Sequence, residues 1–222
     1  MNGKLYGVGV GPGDPELLTV KAIRILQEVD AVVIPKGGKE SVAYQVVKPY
    51  LRGVVLFLPF SMVGRKDEGE SFERGVTRIR EFLAEGKRVA FVTLGDPLLY
   101  STFVVLWRLL PGVEVEIIPG VSSFQAAAAK LKIPLVQGKE CLAILSGESF
   151  TEAVLDSFES IVVFKVNRQC KLLCETLRKR GFVGGLVSRL GWKDEVVMQD
   201  FKCPQGQELD YFSLLVARKQ RP

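Results

Sequence analysis

Three glycine-bearing loops hold the residues of greatest chemical potential in this chain. The first is Gly7-Val8-Gly9-Val10-Gly11-Pro12-Gly13-Asp14-Pro15, set between a strand-like and a helix-like run. Backbone amides at such a junction can approach a ligand. The spacing is not G-x-G-x-x-G: counted from Gly9 the last glycine falls on Asp14, and counted from Gly7 it falls on Pro12. Pro12 and Pro15 also lack the N–H groups a pyrophosphate would use, which argues against a dinucleotide loop. Asp14 and Pro15 have a purely structural reading, as N-cap and first helical residue. The second loop is Thr93-Leu94-Gly95-Asp96-Pro97-Leu98-Leu99-Tyr100-Ser101-Thr102. It follows an apolar strand, and ligands of open parallel sheets bind at the carboxyl ends of strands. Asp96 is either another cap or a carboxylate that holds a cation, an amine or a hydroxyl. The third loop runs from Ile118 through Pro119-Gly120-Val121-Ser122-Ser123 to Ala129. Ser122 and Gln125 form an S-x-x-Q capping box, and the alanine run permits close helix packing.

Other chemistries lack their residues. There is no histidine, which excludes Ser-His-Asp and Cys-His nucleophile systems. The four cysteines, Cys141, Cys170, Cys174 and Cys203, contain no CxxC. Cys170 and Cys174 stand one helical turn apart without the further ligands a zinc or iron–sulfur site requires. All four are expected to be ordinary thiols, and no protein-bound metal is expected.

The elements that must position the loops alternate. Strand-like segments fall at Lys4–Val10, Ala31–Ile34, Val54–Leu58, Arg88–Leu94 and Val113–Ile118. Helix-like segments lie between them at Pro15–Val29, Ser41–Tyr50, Glu70–Glu85 and on to about Leu110. Phe72, Val76, Ile79, Phe82 and Leu83 recur at three- and four-residue spacing. The β-α order predicts a largely parallel sheet covered by helices. Pro119-Gly120 marks a boundary, giving an N-terminal α/β domain over 1–118 and a C-terminal one over 119–222. The second begins with a helix at Ser122–Leu131. Strands follow at Cys141–Leu145, Ile161–Lys165 and Gly185–Ser188, with a helix at Gln169–Arg180. The last two strands, Glu195–Phe201 and Tyr211–Ala217, are so close in sequence that they are expected to pair antiparallel in a mixed sheet. The Gly- and charge-rich stretch Ser61–Gly69 is the candidate mobile flap.

Bulk properties narrow the partners. The chain has 222 residues, 47% of them hydrophobic, and a net charge of +5. No long uncharged apolar run or signal-peptide pattern is present, so a cytoplasmic location away from membranes is expected. Mild basicity suits an acidic partner. Arg178-Lys179-Arg180 ends a helix-like segment, where basic residues complement the dipole, and no aromatics interleave with it, so no nucleic-acid partner is expected.

Taken in order, GxGPGDPELLT (from Gly9), GDP (from Gly95) and PGVSS (from Pro119) resemble the tetrapyrrole, or class III, methyltransferases. Within that family, GDPLLYSTF, IPGVSSFQAAAA, the strand end Val163-Phe164-Lys165-Val166 and Tyr211-Phe212-Ser213-Leu214 resemble the precorrin-2 / cobalt-factor-II C20-methyltransferases. The resemblance implies a two-domain α/β fold, an N-terminal parallel and a C-terminal mixed sheet with a cleft between, and a homodimer. It implies S-adenosylmethionine (SAM) held by Pro12, Leu94, Gly95, Asp96, Leu99, Ser122, Ser123 and Lys165, with Leu190 and Gly191 as further candidates. Lys165 stands where relatives often have methionine. Asp96 and Lys165 are the candidate catalytic residues, and Arg65, Lys66 and Arg168 are candidate cations for a polycarboxylate tetrapyrrole. For Lys165 and the three rim residues the plain alternative is solvated charge. The competing readings are a sister methyltransferase acting at another macrocycle carbon and a non-catalytic SAM- or nucleotide-binding module.

Overall fold

The computed structural model describes residues 3–35, 40–58, 66–166, 169–202 and 209–220, with backbone alone for 66–71. Arg65, Arg168, Cys203 and the first part of the expected flap, 61–65, lie outside the described residues, as does the side chain of Lys66. The chain divides into two compact units after Ser122, whereas the sequence pattern put the change after Ile118.

The first unit is an open, wholly parallel sheet. Its strands are β1 (Lys4–Gly9), β2 (Ala31–Pro35), β3 (Val54–Leu58), β4 (Arg88–Thr93) and β5 (Glu114–Ile118), in the order β3-β2-β4-β1-β5. Because strand side chains alternate, an apolar run buries two faces at once. Tyr6, Val8, Val32, Ile34, Ala90 and Val92 pack against helices α1 (Val20–Glu28) and α2 (Val42–Val47). Leu5, Ala31, Val33, Val89 and Phe91 pack against α3 (Lys66–Ala84) and α4 (Phe103–Arg108).

Two helices differ from the sequence pattern. The Pro15–Val29 segment is split. Asp14 accepts the Glu16 N–H and starts a single 3₁₀ turn at Pro15–Leu17. Thr19 then caps α1 afresh, its Oγ1 accepting from Ala22 N at 3.1 Å. Two capping side chains in succession start two helices where periodicity alone reads one. In the other case α3 begins at Lys66 and takes up part of the expected flap. Acidic residues favour a helix N-terminus, and the sequence carries three of them between 67 and 70.

The second unit holds a mixed sheet in the order β6-β7-β10-β8-β9. Its strands are β6 (Leu142–Ser146), β7 (Ser160–Phe164), β8 (Phe182–Ser188), β9 (Val196–Gln199) and β10 (Ser213–Lys219). The expected pairing of the last two strands is corrected: β10 lies antiparallel between β7 and β8, and β9 pairs only with β8. Burial explains the exchange. Residues 213–217 of β10 are all buried, so this strand belongs at the centre. β9 exposes Val196 and Val197 and tolerates an edge. α5 (Ser123–Leu131) covers one face through Ala127 and Leu131. α7 (Cys170–Lys179) covers the other through Leu173, Cys174 and Leu177. A short helix, α6 (Val154–Ser157), contributes Leu155 to that layer. Cys141 and Cys174 are free thiols, and burial pushes the Cys174 thiol up. Cys170 is disulfide-bonded, which corrects the thiol reading at that position; spacing alone carries no information on cysteine pairing.

Leu215 lies fully buried on the central strand. Leu215→Ala is expected to lower stability by about 2–5 kcal/mol in urea denaturation, through lost burial and a residual cavity. Val197→Ala on the exposed edge strand should change it by no more than about 0.5 kcal/mol.

Candidate active site

The sheet order brings the three loops together. β1 lies between β4 and β5, with Gly9 in register with Thr93 and Val8 with Ile118. All three loops therefore leave the same carboxyl edge side by side. The helix that follows β1 packs on one face of the sheet and the helix that follows β4 packs on the other. Strands whose connections diverge in this way leave a crevice at their carboxyl ends.

Backbone contacts then lock the loops to one another. Gly95 N donates to Gly11 O at 2.8 Å, and Val10 N donates to Thr93 O at 3.0 Å. The Asp96 carboxylate spans two loops: Oδ1 accepts from Leu98 N at 2.9 Å and Oδ2 from Gly120 N at 3.2 Å. A Cβ on Gly9 would lie 2.6 Å from both Gly120 N and Gly95 O, and a Cβ on Gly120 would strike Gly95 O. Gly11 and Gly95 also adopt φ of +72° and +71°, which other residues rarely do. These glycines serve close backbone approach. Gly7 serves packing, because a Cβ there would meet the Phe103 ring at 2.5 Å. Behind the crevice Ser101 Oγ accepts from Phe103 N and donates to Thr93 Oγ1, both at 3.1 Å.

The expected site residues fall into two groups. Pro12, Leu94, Gly95, Asp96, Leu99 and Ser122 all lie in the first unit; Pro12, Gly95 and Ser122 are buried, and Leu94, Asp96 and Leu99 are half-buried. Ser123 and Lys165 belong to the second unit, where Ser123 opens α5. Lys165 follows β7 in a left-handed conformation, φ +58°, and its N–H donates to Ser213 O at 2.9 Å. Its ammonium stands 5.2 Å from the centre of the Tyr211 ring. Of the further candidates, Leu190 is buried in the core, and the Gly191 N–H is already taken by Glu195 Oε2 at 2.7 Å. Gly9 and Gly120 escaped the residue list drawn from sequence. Their signal was present as strand-end glycines, but only the sheet order makes them neighbours.

The arrangement offers a floor of backbone polar groups and one carboxylate. A carboxylate has about four acceptor positions, and two are occupied here by backbone N–H groups. Asp96 can therefore still receive a ligand hydroxyl or ammonium.

Residues 4–201 match the model of the tetrapyrrole (corrin/porphyrin) methylases, and the chain belongs to that family. It is 41% identical over 223 residues to a probable cobalt-precorrin-2 C(20)-methyltransferase of Methanocaldococcus jannaschii, covering 97% of this chain and 96% of the other. It is 32% identical to a precorrin-2 C(20)-methyltransferase of Sinorhizobium sp, covering 99% and 98%. In fold it is similar to a uroporphyrin-III C-methyltransferase of Thermus thermophilus complexed with S-adenyl homocysteine. The TM-score is 0.68 at 24% identity, covering 97% of each chain.

Two outcomes follow from this geometry. Asp96→Ala leaves Gly120 N without its partner and is expected to lose about 1–3 kcal/mol of stability in thermal or urea denaturation. Glu195 gives a pH-dependent one. Burial alone would raise its carboxyl, but the Gly191 N–H and the Lys130 ammonium at 2.9 Å outweigh this and hold it below the ordinary carboxylate range. A carboxyl depressed in the folded state adds stability above its unfolded pKa and loses it as pH falls. The advantage of the wild type over Glu195→Gln should therefore be full at pH 7 and shrink below about pH 4.3 in Tm measurements across pH.

Proposed function

We propose that this protein transfers the methyl group of SAM to C20 of precorrin-2, or of its cobalt-containing form, in cobalamin biosynthesis. The observation that carries the reading is the convergence of the three family loops on one strand-end crevice. It occurs in a chain 41% identical, over nearly its whole length, to a relative bearing that name.

The first-unit loops fit SAM. A floor built from Gly9 and Gly120, where any side chain would collide with backbone, and from Gly95, whose φ of +71° other residues rarely adopt, lets a ligand approach main-chain polar groups. In this proposal Pro12, Leu94, Gly95, Leu99, Ser122 and Ser123 hold the cofactor, and Asp96 accepts from a hydroxyl or ammonium of SAM. SAM supplies a methyl group activated by its sulfonium, so no protein-bound metal is required, and cobalt, where present, travels with the substrate. The chain's own task is to align that methyl with C20, and alignment of this kind is worth about 7–11 kcal/mol. C20 of the macrocycle is electron-rich and needs no covalent attachment to the enzyme. The proton it sheds passes to water or to a side chain at the site. Asp96 and Lys165 are the groups proposed to orient substrate or handle that proton. A homodimer in the cytoplasm, acting on a small acidic tetrapyrrole and not on nucleic acid or membrane, completes the proposal. Among the described residues no helix is long and apolar enough to cross a membrane.

The test is anaerobic turnover of precorrin-2 and its cobalt form with methyl-labelled SAM, read by NMR. The expected product carries one label, at C20. A label at another carbon would transfer the reading to a sister methyltransferase, and SAM binding without any turnover would leave only a binding module. Asp96→Asn is expected to weaken SAM binding about tenfold, the value of one hydrogen bond to a charged group, as measured by calorimetry.

A further inference from the structure

The carboxyl edge of the second unit carries an aromatic cluster that the family loops do not explain. β10 runs antiparallel between β7 and β8, so the start of β10 meets the ends of both neighbours. Each neighbour ends in a cation with a left-handed backbone: Lys165 at φ +58° after β7, and Arg189 at φ +52° after β8. Non-glycine residues rarely adopt this conformation, and they persist in it where surrounding bonds over-determine it. Those bonds are present. Lys165 N donates to Ser213 O at 2.9 Å, and Arg189 N donates to Phe212 O at 3.0 Å. Ser213 Oγ, fully buried, bonds Ser188 Oγ at 2.9 Å and Asp210 O at 2.6 Å.

The strained pair presents aromatic rings. The Lys165 ammonium lies 5.2 Å from the Tyr211 centroid, and the Arg189 guanidinium lies 4.8 Å from that of Trp192. Trp192 packs on Phe212 at 5.0 Å, and Phe212 meets Tyr211 edge-on at 5.4 Å. Yet Tyr211 is 51% exposed and Phe212 48%. Adjacent large rings held rigidly but left half in water mark a binding surface more than a core. The two cations have different tasks. Arg189 is neutralised by Asp194 at 2.9 Å and Asp210 at 3.7 Å, so it fixes Trp192 and the turn before Tyr211. Lys165 holds its ammonium over the Tyr211 ring.

We propose that Tyr211, braced edge-on by Phe212 with Trp192 behind it, meets one face of the tetrapyrrole macrocycle, with Phe212 extending the apolar contact, Lys165 pairing a peripheral carboxylate and Arg189 as a positioning residue. A flat conjugated ring with carboxylates at its rim matches this surface in both respects: its face stacks on aromatic rings, and its rim charge pairs with an ammonium. The inference rests on the proposed tetrapyrrole substrate and names the residues that select it.

The test uses the full chain and two ligands, SAM and the stable octacarboxylate porphyrin uroporphyrin III. The Tyr211→Leu/Phe212→Leu variant is expected to weaken porphyrin binding about tenfold, since each aromatic contact is worth a few-fold to tenfold. SAM affinity and Tm should stay near wild type. The swapped variant Tyr211→Phe/Phe212→Tyr should restore porphyrin affinity, and Lys165→Gln should flatten its dependence on salt. Wild-type porphyrin affinity in the Leu/Leu variant would overturn the platform and leave the proposed reaction intact. Equal loss of porphyrin and SAM binding with a lowered Tm would also overturn it, by making the rings structural. Failure of the wild type to bind any tetrapyrrole while binding SAM would overturn the proposed substrate, and the platform with it.

Discussion

The close approach of three backbones at Gly9, Gly95 and Gly120 is the constraint on which the first unit's site depends. Each glycine stands at or just beyond a strand end, and a single methyl group on Gly9 or Gly120 would collide with main chain of a neighbouring loop. This packing lets the Asp96 carboxylate reach Gly120 N and lets Gly11 accept from Gly95 N. The loops therefore form one surface of fixed polar groups, already ordered before a ligand arrives. Ordering of that kind is what a methyl transfer requires, because its chief demand on the protein is alignment.

The two units build the carboxyl ends of their strands by different routes. In the first, every strand is parallel and the crevice comes from topology, since the chain leaves β1 and β4 toward opposite faces. In the second, the mixed sheet lays the start of an antiparallel strand against the ends of two others. There the carboxyl edge is shaped by left-handed cations and aromatic rings.

Local signals in the sequence succeeded where one physical effect dominated. The apolar runs at β1, β2 and β4 require helices on both faces, and the helices are there. The α3 residues Val76, Ile79, Phe82 and Leu83 are buried as their spacing demanded. Signals failed where two effects competed. Asp14 and Thr19 both cap, so one expected helix became a turn and a helix. β9 and β10 are near in sequence, but β10, buried from Ser213 to Ala217, gains more at the centre of the sheet than beside β9.

From its sequence alone, this chain determines the alternating α/β pattern, the three loops and the residue types they contain, because periodicity and capping are local. The resemblance of those loops to tetrapyrrole methyltransferases is likewise a property of residue order. Tertiary structure alone decided that Gly9, Gly95 and Gly120 touch, that Asp96 bridges two loops, and that Lys165 stands over Tyr211. Those contacts join residues far apart in the chain. They exist only because strand order is chosen by the burial of whole faces, a global quantity that no local run of residues contains.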